Sequence, residues 1–225
     1  PCVTADTWIV TSDGARQVRE LLDKPFKAIV NGKPYKASPF FKTGLKDVFE
    51  ILTDKGFSFK ATEEHKVLVA DYVSRKILKT SWKEVKNLKQ GDRLVLHNHK
   101  NLVWEGRGNE DEGWLIGNLL GDGNLEKNGK ANLDYWGNNR AFMMQYAVSL
   151  VHSTVGGRSD SVGHVAKTGY ARVQSMAFGR LAQSYSISYG QKIASEEVEK
   201  TSSAFYQGFL RGWFDADGSV QGDQQ

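Results

Sequence analysis

The chain has 225 residues, 40% of them hydrophobic, which is enough to bury one large core or two modest ones and excludes a chain that is disordered throughout. It has no run of about 18 apolar residues and no signal segment at its start, so we expect a soluble, intracellular (cytoplasmic) protein with no membrane partner. The formal net charge of +4 does not by itself indicate a nucleic-acid ligand, and the single cysteine, Cys2, excludes an internal disulfide and a zinc site built from several cysteines.

The first hundred residues alternate short apolar segments with turn residues, a pattern typical of β-structure. We predict one short helical segment at 17–22 and strands at 7–10, 27–30, 48–52, 67–70 and 93–96. Turns are predicted at Asp13-Gly14, Asn31-Gly32 and Lys55-Gly56. Polar residues and glycines then predict a linker at 101–110, between a β-rich domain at 1–100 and a second domain at 111–225.

The second domain combines helical and strand patterns, which predicts a mixed α/β fold. We expect helices at 111–120, 139–152 and 178–185, strands near 125–136 and 171–176, and a final helix that ends near Asp217. Within 139–152 the apolar residues recur at helical spacing, so they are predicted to face the core: Phe142, Met143, Tyr146, Ala147, Leu150 and Val151.

A near-terminal thiol and a later Thr-x-x-His step form the first candidate site. Thr62 and His65, on a tight turn, can direct a hydroxyl and an imidazole at one peptide bond. That bond would be Pro1-Cys2: the Cys2 thiol attacks the preceding carbonyl, and His65 protonates the departing amine. Each feature alone is more typical of an inert thiol or of a structural turn histidine, so the prediction depends on their occurring together.

The segment at 82–94, with its Gly91-Asp92 turn, completes a set that resembles the amino-terminal blocks of inteins and of Hedgehog autoprocessing domains. The resemblance covers residues 2–97. It implies a β-rich, horseshoe-shaped Hint splicing domain, with Cys2 as first nucleophile and Thr62 and His65 as the pair that strains and protonates the scissile amide. Pro1 then resembles the last residue of a host protein, and splicing would need no cofactor.

Two apolar segments that each end in Asp-Gly, 115–123 and 210–218, form the second candidate site. Glycines four residues apart would let two helices approach closely: Gly117 with Gly121, and Gly208 with Gly212. Asp122 and Asp217 would then meet at the helix carboxyl ends, where a carboxylate is unfavourable unless a cation is bound. Paired carboxylates that share divalent ions are what two-metal phosphodiester hydrolysis requires. Gly123 and Gly218 are predicted to be left-handed helix caps.

The second segment, with Asp-Ala-Asp-Gly, closely resembles the LAGLIDADG motif of homing endonucleases, and the first has Leu120 where that motif has its first aspartate. The resemblance implies Asp122 and Asp217 as catalytic ligands of Mg²⁺. It also implies Lys192 as a catalytic lysine, although Ala194 stands where that lysine block usually has a proline. A solvated surface lysine is the alternative for Lys192.

Residues between the two motifs are predicted to contact double-stranded DNA. The stretch from Glu126 to Arg180 contains seven lysines and arginines against three acidic residues. Strand residues there could contact phosphates and base edges in a major groove: Lys127, Lys130, Tyr135, Arg172 and Gln174. Individually, each is more typical of a solvated side chain, so the prediction depends on their forming one face.

The expected architecture is therefore a Hint domain followed by an α/β LAGLIDADG domain that is incomplete, because the chain ends directly after the second motif. The missing splicing residues, including a terminal His-Asn, would come from a complementary carboxy-terminal intein segment, and flanking extein segments would be the substrates. The overall pattern most resembles inteins of ribonucleotide reductase. Two alternatives stay open: a free-standing LAGLIDADG endonuclease, and a DNA-binding or maturase-like protein that has lost cleavage.

Overall fold

The computed structural model describes residues 2–96, 102–156, 162–165 (backbone only) and 169–218. The chain divides into two compact units, Pro1–Leu102 and Val103–Gln225. Pro1, the polar stretch at 97–101, and the residues after Gly218 lie outside the described residues, so the predictions that fall on them have no structural counterpart. No helix among the described residues is long and apolar enough to cross a membrane.

A four-stranded antiparallel sheet opens the first unit. Its strands are β1 (Trp8–Thr11), β2 (Gly14–Gln17), β3 (Phe26–Val30) and β4 (Lys33–Ala37), in the order β2-β1-β3-β4. The predicted Asn31-Gly32 turn joins β3 to β4, and both residues have positive φ, 50° and 76°, as a two-residue hairpin turn requires. A 3₁₀ helix at Val18–Glu20 occupies the predicted helical segment.

Two separate hairpins complete the first unit: β5 (Phe49–Leu52) with β6 (Ser58–Ala61), and β7 (Lys66–Val73) with β8 (Leu78–Glu84). A second 3₁₀ helix spans Val85–Asn87. The predicted strand at 93–96 is reduced to a single antiparallel bridge, flanked by hydrogen bonds from Ala70 N–H to the Arg93 carbonyl and from Val95 N–H to the Leu68 carbonyl. Only Leu94 bridges β7, at Val69, and the segment before it is a turn, with Asp92 N–H donating to the Lys89 carbonyl.

The second unit alternates helices and strands. Its elements are α1 (Glu110–Gly121), β9 (Asn124–Leu125), β10 (Ala131–Tyr135), α2 (Arg140–Val155), β11 (Val162–Val165), β12 (Tyr170–Ser175), α3 (Met176–Ser184), α4 (Glu196–Glu199) and α5 (Ser203–Asp217). The strands form one antiparallel sheet in the order β11-β12-β10-β9. Side chains of Asn109, Ser175 and Ser202 cap α1, α3 and α5 by accepting a hydrogen bond from a first-turn backbone N–H.

The core of the second unit packs α1, α2, α3 and α5 with one face of the sheet. Alternation in β10 and β12 sends Leu133 and Val173 into this core, at 0% and 1% exposure. The helical stripe predicted for α2 is confirmed at Ala147, Leu150 and Val151. It is wrong for Phe142, which is 69% exposed, because the buried side of the helix lies opposite that residue.

Candidate functional sites

Helices α1 and α5 pack with their backbones in direct contact. A β-carbon added at Gly117 would lie 2.1 Å from the Phe209 carbonyl oxygen, and one at Gly212 would lie 2.1 Å from that of Trp114. The predicted close approach is therefore confirmed, and Gly113, which was not predicted, contributes in the same way. Gly121 differs from the prediction, because its nearest neighbour is the Ala216 side chain, 2.5 Å from an added β-carbon.

This packing places the ends of the two motifs together. A β-carbon at Gly121 would lie 3.3 Å from Asp217 Oδ2, so the Asp217 carboxylate lies beside the last turn of α1. Partial desolvation and the neighbouring Asp217 raise the pKa of Asp122 above its ordinary value. Two carboxyl groups this close each disfavour the charged form of the other.

The left-handed caps predicted at Gly123 and Gly218 are wrong. Gly218 is extended, with φ −71° and ψ 148°, and Asp122 itself ends α1 in a right-handed conformation. Gly123 is required for space instead, because a β-carbon there would lie 2.7 Å from the Leu119 Cα and 2.9 Å from the Asn132 carbonyl oxygen.

Lys192 lies at the same place as the two aspartates. Its ammonium group donates a hydrogen bond of 2.6 Å to the Gly121 carbonyl. Its positive charge lowers the pKa of the Asp122 carboxyl, but desolvation and Asp217 raise that pKa by more. The structure thus brings together Asp122, Asp217 and Lys192. Among the described residues, no group of three or more His, Cys, Asp or Glu side chains could hold a metal ion.

A buried hydrogen-bond chain connects the helix pair to the sheet. The Tyr135 hydroxyl donates to Asn118 Oδ1 at 2.8 Å, and Asn118 Nδ2 donates to the Gly212 carbonyl at 3.2 Å. Asn118 was not among the residues predicted from the sequence. Its signal was an amide in the middle of the otherwise apolar segment 115–120, since a buried amide must find partners.

The strand residues predicted to contact DNA do not share one face. Tyr135 is wrong as a surface residue: it is 8% exposed, because it follows Ala131 and Leu133 at the two-residue period of the core side. Arg172 and Gln174 lie on the opposite side of the sheet, the outer face, defined by the alternate positions of β10 and β12 that point away from the core. Lys127 and Lys130 lie in the turn between β9 and β10.

In the first unit, the backbone around Cys2 is fixed by Thr62. The Cys2 N–H, which belongs to the peptide bond with residue 1, donates to Thr62 Oγ1 at 3.0 Å, and the Thr62 N–H donates to the Cys2 carbonyl at 3.0 Å. The two residues are held beside the end of β6, where Val3 bridges Ala61. Thr62 is 8% exposed, so its hydroxyl is shielded from bulk water.

His65 belongs to the same turn, through its N–H, which donates to the Thr62 carbonyl at 3.0 Å. Its Nδ1 is buried and has no hydrogen-bond partner among the described residues. Burial lowers the pKa of His65 below its ordinary value of 6.5, so the imidazole is neutral at pH 7 and its ring nitrogens can relay a proton.

Thr43 is a further contact of the thiol, and it was not predicted from the sequence. Its Oγ1 lies 3.4 Å from the Cys2 Sγ. This hydrogen bond is the main cause of a lowered pKa of the Cys2 thiol, because a hydroxyl that donates to sulfur stabilises the thiolate. No sequence signal marks Thr43, since it lies in an irregular segment far from both motifs.

Comparison with known proteins adds a family at the carboxyl end of the chain. Residues 204–225 match the family described as LAGLIDADG-like domain, and this stretch includes Asp217. The chain therefore carries a LAGLIDADG-like segment within a mixed α/β unit.

Three curated relatives align with larger parts of the chain. It is 32% identical to the replicative DNA helicase DnaB of Rhodothermus marinus, over 54% of this chain and 13% of the helicase. It is 26% identical to the ribonucleoside-diphosphate reductase large subunit of Invertebrate iridescent virus 6, over 73% of this chain and 18% of that subunit. It is 30% identical to the replicative DNA helicase DnaB of a Nostoc species, over 54% of this chain and 14% of the helicase. The chain thus spans less than one fifth of the length of each of these relatives.

Proposed function

We propose that this chain is the amino-terminal portion of a self-splicing intein that carries an inserted LAGLIDADG homing endonuclease. The observation that carries the splicing half is the 3.0 Å hydrogen bond from the Cys2 amide nitrogen to Thr62 Oγ1. The Thr-x-x-His turn thereby reaches the peptide bond that the thiol would break. The endonuclease half is supported by the LAGLIDADG-like match at 204–225 and by the helix pair that ends in Asp122 and Asp217.

The relatives support an inserted element. The alignments cover 54% and 73% of the chain, so the segments that align with a helicase and with a reductase must overlap. One segment shared by two enzymes of different chemistry, and small relative to both, is what an inserted element predicts. The reductase match agrees with the resemblance to inteins of ribonucleotide reductase.

The proposed first step is an N-to-S acyl shift. The Cys2 sulfur attacks the carbonyl carbon of residue 1, a C–S bond forms, the C–N bond to the Cys2 nitrogen breaks, and the thiol proton goes to the departing amine. Thr62 Oγ1 holds the amide N–H, and Thr43 favours the thiolate. The neutral imidazole of His65 relays the proton between sulfur and nitrogen. No cofactor enters this step.

For the endonuclease we propose that Asp122 and Asp217 hold Mg²⁺. The adjacent carboxylates and the raised pKa of Asp122 fit a site that a cation stabilises. When bound, the ion would supply charge stabilisation and water activation for phosphodiester hydrolysis. Lys192 is proposed to stabilise developing phosphate charge, since its ammonium group lies at the Gly121 carbonyl, directly before Asp122.

The proposed domains are a Hint domain at 1–100, a linker at 101–110 and an endonuclease domain at 111–225. The proposed partners are flanking extein segments, double-stranded DNA and a complementary carboxy-terminal intein segment. An open cleft of about 700 Å³ in the first unit supports the last of these. Its lining includes Leu52, Phe57 and Leu96, which are 73%, 52% and 57% exposed, and such apolar surface favours a further packed segment.

The test uses a carrier protein fused before Pro1, with a complementary carboxy-terminal intein fragment supplied. Dithiothreitol should release the carrier from the wild type and from Asp217→Asn, which leaves the thiol site intact. Cys2→Ala should abolish release, because the chain contains no other thiol. Unchanged release by Cys2→Ala would contradict the splicing assignment.

A second candidate is a free-standing LAGLIDADG endonuclease, or a DNA-binding or maturase-like relative without cleavage, which the match at 204–225 favours when taken alone. Either one leaves the contact between Cys2 and Thr62 without a role. Carrier release by thiol in the wild type would exclude both. The chain together with the complementary segment should cut duplex DNA when magnesium is present. If Asp122→Asn abolishes this cutting while splicing continues, the two activities are separate.

A further inference from the structure

A bidentate ion pair lies on the outer face of the sheet in the second unit. Arg172 Nε donates to Asp134 Oδ1 at 2.5 Å, and Nη2 donates to Asp134 Oδ2 at 2.7 Å. The two residues are direct cross-strand partners on β10 and β12, the two central strands. Their neighbours Leu133 and Val173 are buried in the core, so the backbone that carries the pair is held firmly.

The pairing leaves one edge of the guanidinium available. Asp134 binds the side that carries Nε and Nη2, whereas Nη1 and the second hydrogen of Nη2 form the end of the group. No described residue accepts a hydrogen bond from Nη1 of Arg172. The Arg172 side chain is 30% exposed, Asp134 is 15% exposed, and the Tyr170 ring lies 5.1 Å from the guanidinium carbon. The arginine is therefore fixed in orientation and still accessible.

Two parallel N–H donors at the end of an arginine match one base edge in the major groove. Guanine presents two acceptors there, O6 and N7, whereas adenine presents an acceptor beside a donor. A phosphate is a poorer match, because Asp134 already neutralises the arginine and its carboxylate would repel a phosphate group. Antiparallel strands can enter the major groove of duplex DNA.

We infer that Arg172, oriented by Asp134, is a specificity-determining residue that recognises a guanine in the major groove of the DNA target. The inference rests on the proposed endonuclease function and adds to it one base of the target and the residue that selects it. Arg172 would contact the base, and Asp134 would act as a positioning residue through Arg172.

The experiment selects DNA with the full 225-residue chain at low salt from a pool of duplexes that contain a randomised segment of 20 base pairs. The retained DNA is sequenced for the wild type, Arg172→Lys, Asp134→Asn and Arg180→Lys. The last variant is the control, because Arg180 is an exposed arginine on α3, and the neighbouring Phe178 and Ala182 lie in the core on the other side of the sheet. Thermal unfolding of each variant is measured in parallel.

The wild type should select guanine at one position by a factor on the order of 10 to 100, the usual discrimination of a bidentate arginine contact. Arg172→Lys keeps the charge and loses the paired donors, so it should remove this preference and leave the other positions unchanged. Asp134→Asn should weaken the same preference, and Arg180→Lys should have no effect.

Three results would overturn the inference. An unchanged guanine preference in Arg172→Lys, together with a lower Tm, would show an ion pair that only stabilises the sheet. Weaker binding to all sequences alike would show a phosphate contact. A wild type that selects no sequence and does not retain duplex DNA would contradict the proposed DNA function, and the inference with it, whereas selection without any guanine preference would contradict the inference alone.

Discussion

In the first unit, one hydrogen bond affects the ionisation of the Cys2 thiol. The Thr43 hydroxyl lowers the pKa of the Cys2 thiol, so Thr43→Val should raise that pKa and move the reactive thiolate to higher pH. The rate of Cys2 alkylation by iodoacetamide, measured against pH, reports this directly because the chain has one cysteine. Thr43→Ser keeps the hydroxyl and should keep the profile. A Val variant with the wild-type profile would contradict the assignment of Thr43.

His65 and Thr62 should contribute unequally to carrier release. His65→Ala removes the proton relay and should slow release by roughly 10²–10⁴-fold, the usual range for loss of a general acid or base. Thr62→Ala removes one hydrogen bond to the scissile amide and should cost less. Release is followed by gel electrophoresis with dithiothreitol, and circular dichroism checks the fold. If both variants unfold, the turn is structural and the catalytic assignment fails.

In the second unit, helices α1 and α5 are packed with their backbones in direct contact. Gly117→Ala would place a β-carbon 2.1 Å from the Phe209 carbonyl oxygen, so the helices must separate. We expect a loss of about 1–3 kcal/mol or more in the free energy of unfolding, measured with urea. The control, Gln207→Ala, changes an exposed position of α5 and should be nearly neutral. Equal stability of the two variants would contradict this account of the helix contact.

The carboxylates at the ends of these helices should make stability depend on pH and on magnesium. The pKa of Asp122 is raised above 3.8 in the folded state, so folding binds a proton and the wild type loses stability as pH rises through the folded pKa. Asp122→Asn should therefore match the wild type in acid and be more stable at neutral pH. Magnesium chloride should raise the Tm of the wild type but not of Asp122→Asn. An equal rise in both would contradict the proposed site.

Helices and strands could be predicted from the sequence where the apolar periodicity is strong. The predictions failed where tertiary contacts determine the structure. Helix α1 was expected at 111–120 and spans Glu110–Gly121. Strand β8 was missed because its sequence, LKTSWKE, is mostly exposed and lacks an apolar alternation. Tyr135 was assigned to the wrong face because its aromatic ring suits either a core or a binding surface, and only the pairing register decides.

For the candidate sites as well, residue spacing predicted some contacts and tertiary structure determined the others. Asp122 and Asp217 could be paired from sequence, because glycines at helical spacing predict close packing. The position of Lys192 could not be derived this way, because this residue lies outside the helices and no residue spacing predicts its contact with the Gly121 carbonyl. Thr43 could not be predicted for the same reason, since it contacts Cys2 from an irregular segment.

For the molecule as a whole, the two units differ in how much apolar surface they bury. The large core cluster lies entirely in the second unit, while the buried hydrophobic residues described in the first are Val18, Leu21, Ala61, Val69 and Val85. We expect backbone amides of the first unit to exchange hydrogen faster, measured by mass spectrometry of peptides. Slower exchange there than in α1 and α5 would contradict this expectation. Adding the complementary intein segment should slow hydrogen exchange in the first unit.

The alternation of β10 and β12 has a consequence for how this protein can change over generations. Residues that pack in the core and residues proposed to contact DNA occupy opposite sides of the same strands. A gene library that randomises Asp134, Arg172 and Gln174 should therefore yield mostly soluble, folded products, whereas one that randomises Leu133 and Val173 should not. Under the proposed endonuclease function, the DNA target preference can therefore change by mutation of the outer face while the core of the sheet stays the same.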